Sequence, residues 1–192
     1  NGAGKTTLLN VISGLLEPQE GEARLQTRPF LRLPAHEIAR LGIGRTFQAT
    51  QIFPHLTLLE NVLLGHHVHG RTGMLGAFLH TPVERREEKQ LRRRALDALD
   101  QCGLASKATW AGEQLSLMAQ KLVELARALA LQPKVLLLDE PVGGLNPRES
   151  EQLMGYVANL RRQGLGVVLV EHDMNVLMRL ADRVVVLQHG RR

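Results

Sequence analysis

Residues 1–16 read NGAGKTTLLNVISGLL. Their first seven positions contain the last part of the pattern G-x-x-x-x-G-K-[ST], and the apolar residues that follow recur at near-helical spacing. Glycines let successive backbone N–H groups surround phosphate oxygens, while the N-terminus of a helix adds partial positive charge. The stretch therefore predicts a phosphate-binding loop that opens a helix, with Gly14 near the end of that helix.

This loop supplies the first candidate binding residues. We expect Lys5 to reach the terminal phosphates of a nucleotide and Thr6 to place its hydroxyl on Mg²⁺. The first glycine of the pattern would precede Asn1, and the chain begins without methionine, so we expect a fragment that is truncated at both ends. The candidate nucleotide-binding residues of the loop are Asn1, Gly2, Ala3, Gly4, Lys5, Thr6 and Thr7.

Composition excludes several classes of protein. The chain has 192 residues, of which 44% are hydrophobic and 22% charged, so it can bury a core and lacks the signature of disorder. No apolar run approaches the roughly 18 residues that a membrane span needs. The single cysteine, Cys102, cannot form an internal disulfide, which fits a reducing compartment. The net charge of +5 is compatible with nucleic acid, anionic lipid or a phosphate ligand.

The second half of the sequence indicates an α/β fold. Apolar runs at 135–138, 167–170 and 184–187 alternate with helical patterns, one over about 147–162 and a shorter one that contains Met174 and Leu177. We expect three strands of a mainly parallel sheet, buried on both faces. Further helices are predicted over about 84–101 and 116–131, and short strands over 20–47 that return residues 44–48 to the core.

Polar residues follow two of these predicted strands. Asp139 and Glu140 close the first run and His172 follows the second, and ligands of open α/β sheets bind at this carboxyl edge. Asp139 is expected to hold Mg²⁺, directly or through water, and Glu140 to act as general base toward an attacking water. We expect His172 to contact the γ-phosphate.

The order of these motifs resembles that of the nucleotide-binding subunits of ABC transporters over nearly the whole chain. The matching motifs are Walker A at 1–7, the Q-loop at Gln48, the signature helix at 115–127, Walker B at 135–140, the D-loop at 143–146 and the switch histidine at His172. The stretches IGRTFQ (43–48), IFPHLTLLENVLLG (52–65) and EPVGGLNP (140–147) are similar to LivG-type ATPase subunits of branched-chain amino acid importers and of their relatives for urea or amides.

The resemblance implies a P-loop NTPase fold: one ABC ATPase domain over 1–192, with a helical subdomain at about 61–131 inserted in its core. It implies that the protein hydrolyses ATP with Mg²⁺. The implied catalytic residues are Glu140, His172 and Gln48, and the implied metal-binding residues are Thr6, Gln48 and Asp139. Ser116 would touch the ATP held by a partner.

The implied partners are a second ABC ATPase subunit, in a homodimer or heterodimer, and membrane permease subunits. A periplasmic solute-binding protein is implied indirectly, and nucleic acid is not expected. The resemblance places the chain peripherally on the cytoplasmic face of the inner membrane, where it would energise import of branched-chain or related amino acids.

Two positions depart from the family pattern. Asn146 replaces the D-loop aspartate, a usual replacement in this branch, whereas Met118 replaces the signature glycine in LSLMAQ (115–120). Methionine restricts the backbone where close approach to a phosphate needs glycine, which leaves open a nucleotide-binding regulatory subunit with little turnover. A soluble ABC ATPase acting on nucleic acid or ribosomes is a further alternative, although the cysteine pairs of zinc-binding insertions are absent.

Overall fold

The computed structural model describes residues 2–46, 52–67 and 82–191. The chain divides into two compact units, one formed by residues 1–48 with 133–192 and the other by residues 49–132. Within the described ranges, no helix combines the length and the apolar character needed to cross a bilayer. The boundaries of 61–131 for a helical subdomain stay a prediction.

The first unit is an α/β structure. Its elements are α1 (Lys5–Ile12), β1 (Arg24–Leu25), β2 (Arg28–Pro29), α2 (Ala35–Leu41), β3 (Ile43–Arg45), β4 (Val135–Asp139), α6 (Pro147–Arg162), β5 (Gly166–Val170) and α7 (Met174–Leu180). Strands β3, β4 and β5 form a three-stranded parallel sheet in that order, and β1 and β2 form a separate antiparallel hairpin.

Strand register places the predicted acidic residues at one edge of the sheet. Asp139, the last residue of β4, pairs with Val170, the last residue of β5, so both strands end at the same level. Glu140 directly follows β4 and Glu171 directly follows β5, so these two residues begin the loops at this edge. The predicted parallel pairing of these two strands is confirmed.

The core of this unit joins α1 to the sheet. Leu9 of α1 packs with Ile43 of β3 and Leu137 of β4, and Phe30 and Ile38 complete the buried cluster. Burying a side chain of this size stabilises a fold by about 1.5–3 kcal/mol. The glycine-rich loop is thereby held on the strands that carry the acidic residues.

The second unit is helical. It consists of α3 (Leu58–His67), α4 (Pro82–Gln101), α5 (Leu117–Ala130) and two short 3-10 turns at Ala105–Lys107 and Gly112–Gln114. Leu58 and Val62 of α3, Leu99 of α4, and Val123 and Ala126 of α5 are fully buried, as amphipathic helices require when they pack on one another. The helices predicted over 84–101 and 116–131 are confirmed to within two residues.

The prediction of a third buried strand at 184–187 is wrong. No strand among the described residues pairs with this segment, and the side chains of Val184, Val185 and Val186 are 42%, 53% and 72% exposed. A cleft of about 560 Å³ lies between this segment and β5. The apolar pattern alone cannot form a strand, because an extended segment needs a hydrogen-bonded neighbour on at least one side.

Burial of β5 is also less complete than predicted. Val168 is 40% exposed, since β5 is paired on only one side within the described part of the chain.

Leu15 and Leu16 lie beyond the end of α1 and are 53% and 46% exposed, so they do not extend the buried stripe of that helix.

The N-terminus of α6 generates a prediction about stability. The Asn146 side chain accepts a hydrogen bond from the Glu149 N–H at 3.0 Å, and Glu149 accepts one in return from the Asn146 N–H. We expect Asn146→Ala to lower the free energy of unfolding by about 1 kcal/mol because it removes this cap. Asn146→Asp keeps an oxygen acceptor and should keep the stability. Denaturant unfolding measures both variants, and equal stability of Asn146→Ala and the parent would contradict the assignment.

Candidate functional site

The glycine-rich loop has the backbone that its sequence predicts. Gly2 and Gly4 have φ angles of 86° and 90°, a left-handed conformation that favours glycine, and α1 begins at Lys5 directly after them. The N-cap of α1 is Gly4, which has no side chain to cap the helix, so among the described residues the first N–H groups of α1 are available to an anion. Thr6 and Thr7 are exposed in the first turn, whereas Asn1 lies outside the described residues.

Asp139 is a buried carboxylate at the end of β4. Its side chain is 1% exposed, and its Oδ2 accepts a hydrogen bond from Arg45 Nη2 at 3.2 Å. Among the described residues, no donor reaches its other oxygen, Oδ1. A buried acceptor without a donor costs free energy unless a ligand or water satisfies it. Asp139 therefore fits the predicted role next to a Mg²⁺ ion or its coordinated water.

Arg45 connects three elements of the first unit. Its Nη1 donates hydrogen bonds to Asn10 Oδ1 of α1 at 2.7 Å and to Oγ of Ser13, the C-cap residue of α1, at 2.8 Å, while its Nη2 holds Asp139. Burial lowers the pKa of the guanidinium, and the neighbouring carboxylate opposes that shift. No role for Arg45 was predicted from the sequence. The available signal was a basic residue in the stretch IGRTFQ (43–48), just before the Q-loop.

Glu140 and His172 meet at the carboxyl edge of the sheet. His172 Nε2 lies 2.5 Å from Glu140 Oε1, and their side chains are 47% and 24% exposed. Glu140 has a φ angle of 49°, a conformation that costs a residue with a side chain roughly 1–2 kcal/mol. The two residues are 32 positions apart and come together because β4 and β5 are neighbours in register.

Glu171 is a second residue whose role was not predicted from the sequence. Its side chain accepts hydrogen bonds from the Val142 N–H at 3.0 Å and from the His172 N–H at 3.3 Å. Burial raises the pKa of Glu171, these two hydrogen bonds oppose the shift, and the nearby Glu140 carboxylate raises the pKa further. Its position directly after the apolar run at 167–170, as Glu140 follows the run at 135–138, was the signal in the sequence.

Of the remaining candidate site residues, some lie in the second unit and one lies outside the described residues. Ser116 is the N-cap of α5, and its hydroxyl accepts a hydrogen bond from the Ala119 N–H at 3.3 Å. Met118 lies in the first turn of α5 with its side chain buried, whereas Leu117 is 41% exposed. Gln48 lies outside the described residues. The contacts of Ser116 and Gln48 with nucleotide or metal stay predictions.

Comparison with known proteins gives one family. The family model described as ABC transporter matches residues 1–143. The ATP-binding protein LivG for high-affinity branched-chain amino acid transport of Salmonella typhimurium is 38% identical over 191 residues, which are 99% of this chain and 75% of that protein. The ribose import ATP-binding protein RbsA 1 of Burkholderia thailandensis is 32% identical over 190 residues, 99% of this chain and 35% of its own length.

Solved structures have the same fold. The ADP conformation of MJ1267, an ATP-binding cassette of an ABC transporter, matches with a TM-score of 0.84 and 28% identity, covering 100% of this chain and 74% of that one. The dimeric structure of MJ0796, a bacterial ABC transporter cassette, matches with a TM-score of 0.75 and 35% identity, covering 100% of this chain and 79% of the other.

The buried ion pair between Arg45 and Asp139 generates a prediction. We expect Arg45→Met to lower the free energy of unfolding by about 3–5 kcal/mol, because it leaves the Asp139 carboxylate buried without its cation. The matched control is Arg24→Met, which breaks the ion pair with Glu22 between side chains that are 58% and 75% exposed. That change should cost less than about 1 kcal/mol. Chemical denaturation compares the two variants, and similar small losses would contradict the role of Arg45.

Proposed function

Since this chain belongs to the ABC transporter family and is an ATPase of that family, we propose that it energises an importer for branched-chain or related amino acids. The observation that carries the catalytic part is the contact between Glu140 and His172 where β4 and β5 end together. The higher identity to the branched-chain amino acid protein than to the ribose protein favours amino acids as the solute.

Binding of ATP is assigned to the loop before α1. Left-handed glycines such as Gly2 and Gly4 allow backbone N–H groups to surround an anion, and the N-terminus of α1 adds its partial positive charge there. Lys5, the first residue of the helix, supplies a full positive charge for the β- and γ-phosphates. This arrangement would recognise the phosphates of ATP.

Hydrolysis is assigned to Glu140. Its carboxylate accepts the proton of the attacking water at Oε1 or Oε2, and contact with His172 Nε2 fixes the orientation of the carboxylate. His172 also brings a ring N–H that can stabilise charge on the γ-phosphate when the nucleotide enters. Most of the rate enhancement then comes from positioning and electrostatics.

A magnesium ion fits beside the same edge. Asp139 would hold the ion or its water through Oδ1, which no donor in the described part of the chain reaches, together with Thr6 and Gln48. The ion would neutralise charge on the β- and γ-phosphate oxygens. Asp139 is ready for that role because Arg45 already fixes its other oxygen.

The proposed assembly contains two ATPase subunits on two permease subunits at the inner face of a membrane. A periplasmic solute-binding protein would deliver the solute on the other side. Support for this arrangement comes from family membership and from the dimeric cassette that this chain resembles.

The assignment of Glu140 and Lys5 is tested by substitution in the assembled transporter. Glu140→Gln keeps the shape of the side chain but cannot accept the proton, so ATP should bind normally while turnover falls about 100-fold or more. Lys5→Ala should instead lose nucleotide binding, because the phosphates lose their nearest cation. Nucleotide titration and phosphate release separate the two effects. Parental hydrolysis by Glu140→Gln would show that another group is the base.

Met118 supports a second part of the proposal, unequal ATP sites. In a family dimer each signature loop faces the ATP of the other subunit, so the Met118 backbone of this chain would face the partner's nucleotide. Because the Met118 side chain is buried, the relevant loss is the backbone freedom of glycine rather than bulk toward the phosphate. A heterodimer whose partner carries the usual glycine would then hydrolyse ATP mainly at the Walker A site of this chain.

We expect Met118→Gly to raise turnover at the partner's site about tenfold, the effect of recovering a contact worth about 1.4 kcal/mol. Turnover at the site of this chain should not change. Rates are measured in heterodimers with the general base removed from each subunit in turn. Met118→Ala is the matched control, since it removes the buried side chain without adding glycine's freedom. Equal rates at both sites of the parent heterodimer would refute the asymmetry.

A further inference from the structure

Glu171 joins the two loops that carry Glu140 and His172. Its Oε1 accepts a hydrogen bond from the Val142 N–H in the loop after β4, at 3.0 Å. Its Oε2 accepts one from the N–H of its own neighbour, His172, at 3.3 Å. The half-buried carboxylate of Glu171 therefore links the loop after β4 to the start of the loop after β5, where His172 lies.

The loop after Glu140 depends on this link more than its sequence suggests. The Glu140 N–H donates to Val170 O at 2.9 Å, which ties the start of the loop to the end of β5. Pro141 has no N–H to donate, so Val142 offers the next possible attachment. Glu140 itself has the unfavourable φ angle of 49°. A residue in that conformation keeps it only when its surroundings hold it on both sides.

Electrostatics indicate that the oxygen atoms of Glu171 matter more than its charge. Burial and the neighbouring Glu140 carboxylate both raise the pKa of Glu171, so the charged form is disfavoured by its surroundings. Two backbone N–H groups and the neighbouring His172 offset part of that cost. An uncharged acceptor of the same shape would keep the hydrogen bond to Val142 and avoid the repulsion from Glu140.

We infer that Glu171 is a positioning residue, which holds the Glu140 carboxylate opposite His172 by fixing the Val142 N–H to the end of β5. The inference rests on the proposed role of Glu140 as general base. It assigns to Glu171 no contact with nucleotide or water. Its effect is on the rate of hydrolysis and not on the affinity for ATP.

The test compares Glu171→Ala with Glu171→Gln in the assembled transporter. Glu171→Ala removes the acceptor for Val142, and we expect kcat for ATP hydrolysis to fall about 10- to 100-fold, as for misplacement of a catalytic group by a fraction of an ångström to one ångström. KM for ATP and the affinity for nucleotide should stay within about twofold of the parent values. Glu171→Gln keeps an acceptor oxygen, so it should restore kcat to within about threefold of the parent.

Hydrogen exchange gives a readout besides activity. The Val142 amide should exchange slowly in the parent and in Glu171→Gln, and faster in Glu171→Ala, when peptides ending on either side of Val142 are compared by mass spectrometry. Glu151→Ala is the matched control, because Glu151 pairs with Arg179 between side chains that are 76% and 74% exposed. That variant should change neither kcat nor the exchange of Val142.

Two results would overturn the inference. One is a parental kcat in Glu171→Ala although its Val142 amide exchanges rapidly, and the other is an equal loss of kcat in Glu171→Gln and Glu171→Ala. If Glu171→Ala fails to fold, Glu171→Asp decides, since its shorter side chain should lower kcat and a parental kcat would overturn the inference. Failure of the general-base assignment is seen separately, as parental hydrolysis in Glu140→Gln with Glu171 intact.

Discussion

The buried carboxylate of Asp139 is the constraint on which the catalytic unit depends. A charge that is 1% exposed needs a cation in contact with it, and Arg45 supplies that cation from the neighbouring strand. Because the same guanidinium also binds Asn10 and Ser13, satisfying Asp139 fixes α1 against β3 and β4. The glycine-rich loop at the start of α1 is thereby attached to the acidic edge of the sheet through one side chain as well as through the apolar core.

A second set of constraints operates where the strands end. Parallel pairing of β4 with β5 brings Glu140 and His172 together, but it does not determine how the loop after Glu140 turns. That turn requires a left-handed Glu140, and hydrogen bonds from Glu140 to Val170 and from Val142 to Glu171 stabilise it. Catalytic geometry in this fold therefore depends on residues that need never touch the nucleotide. Such residues have no motif of their own, since their role depends only on which backbone groups lie nearby.

Much of the fold was predictable because the patterns were long or chemically specific. The helical pattern predicted over about 147–162 matches the bounds of α6, and the structure explains its start by the Asn146 cap with Pro147 in the first turn. The uninterrupted apolar run of β4 predicted a strand buried on both faces, and Leu136, Leu137 and Leu138 are at most 1% exposed. The same reasoning failed at 184–187, where Val186 is 72% exposed, because a strand requires a neighbour and the local sequence cannot supply one.

The sequence by itself determined the phosphate loop, the acidic residues after β4, the histidine after β5 and the family, since each rests on residue types at fixed spacing along the chain. Only the tertiary structure decided that Arg45 neutralises Asp139 from 94 residues away, that Glu171 reaches Val142, and that the side chain of Met118 points into the core. The physical reason is that an ion pair or a side-chain hydrogen bond depends on distances of about 3 Å between atoms. Residues far apart in the sequence reach those distances only when the sheet and the helices have packed.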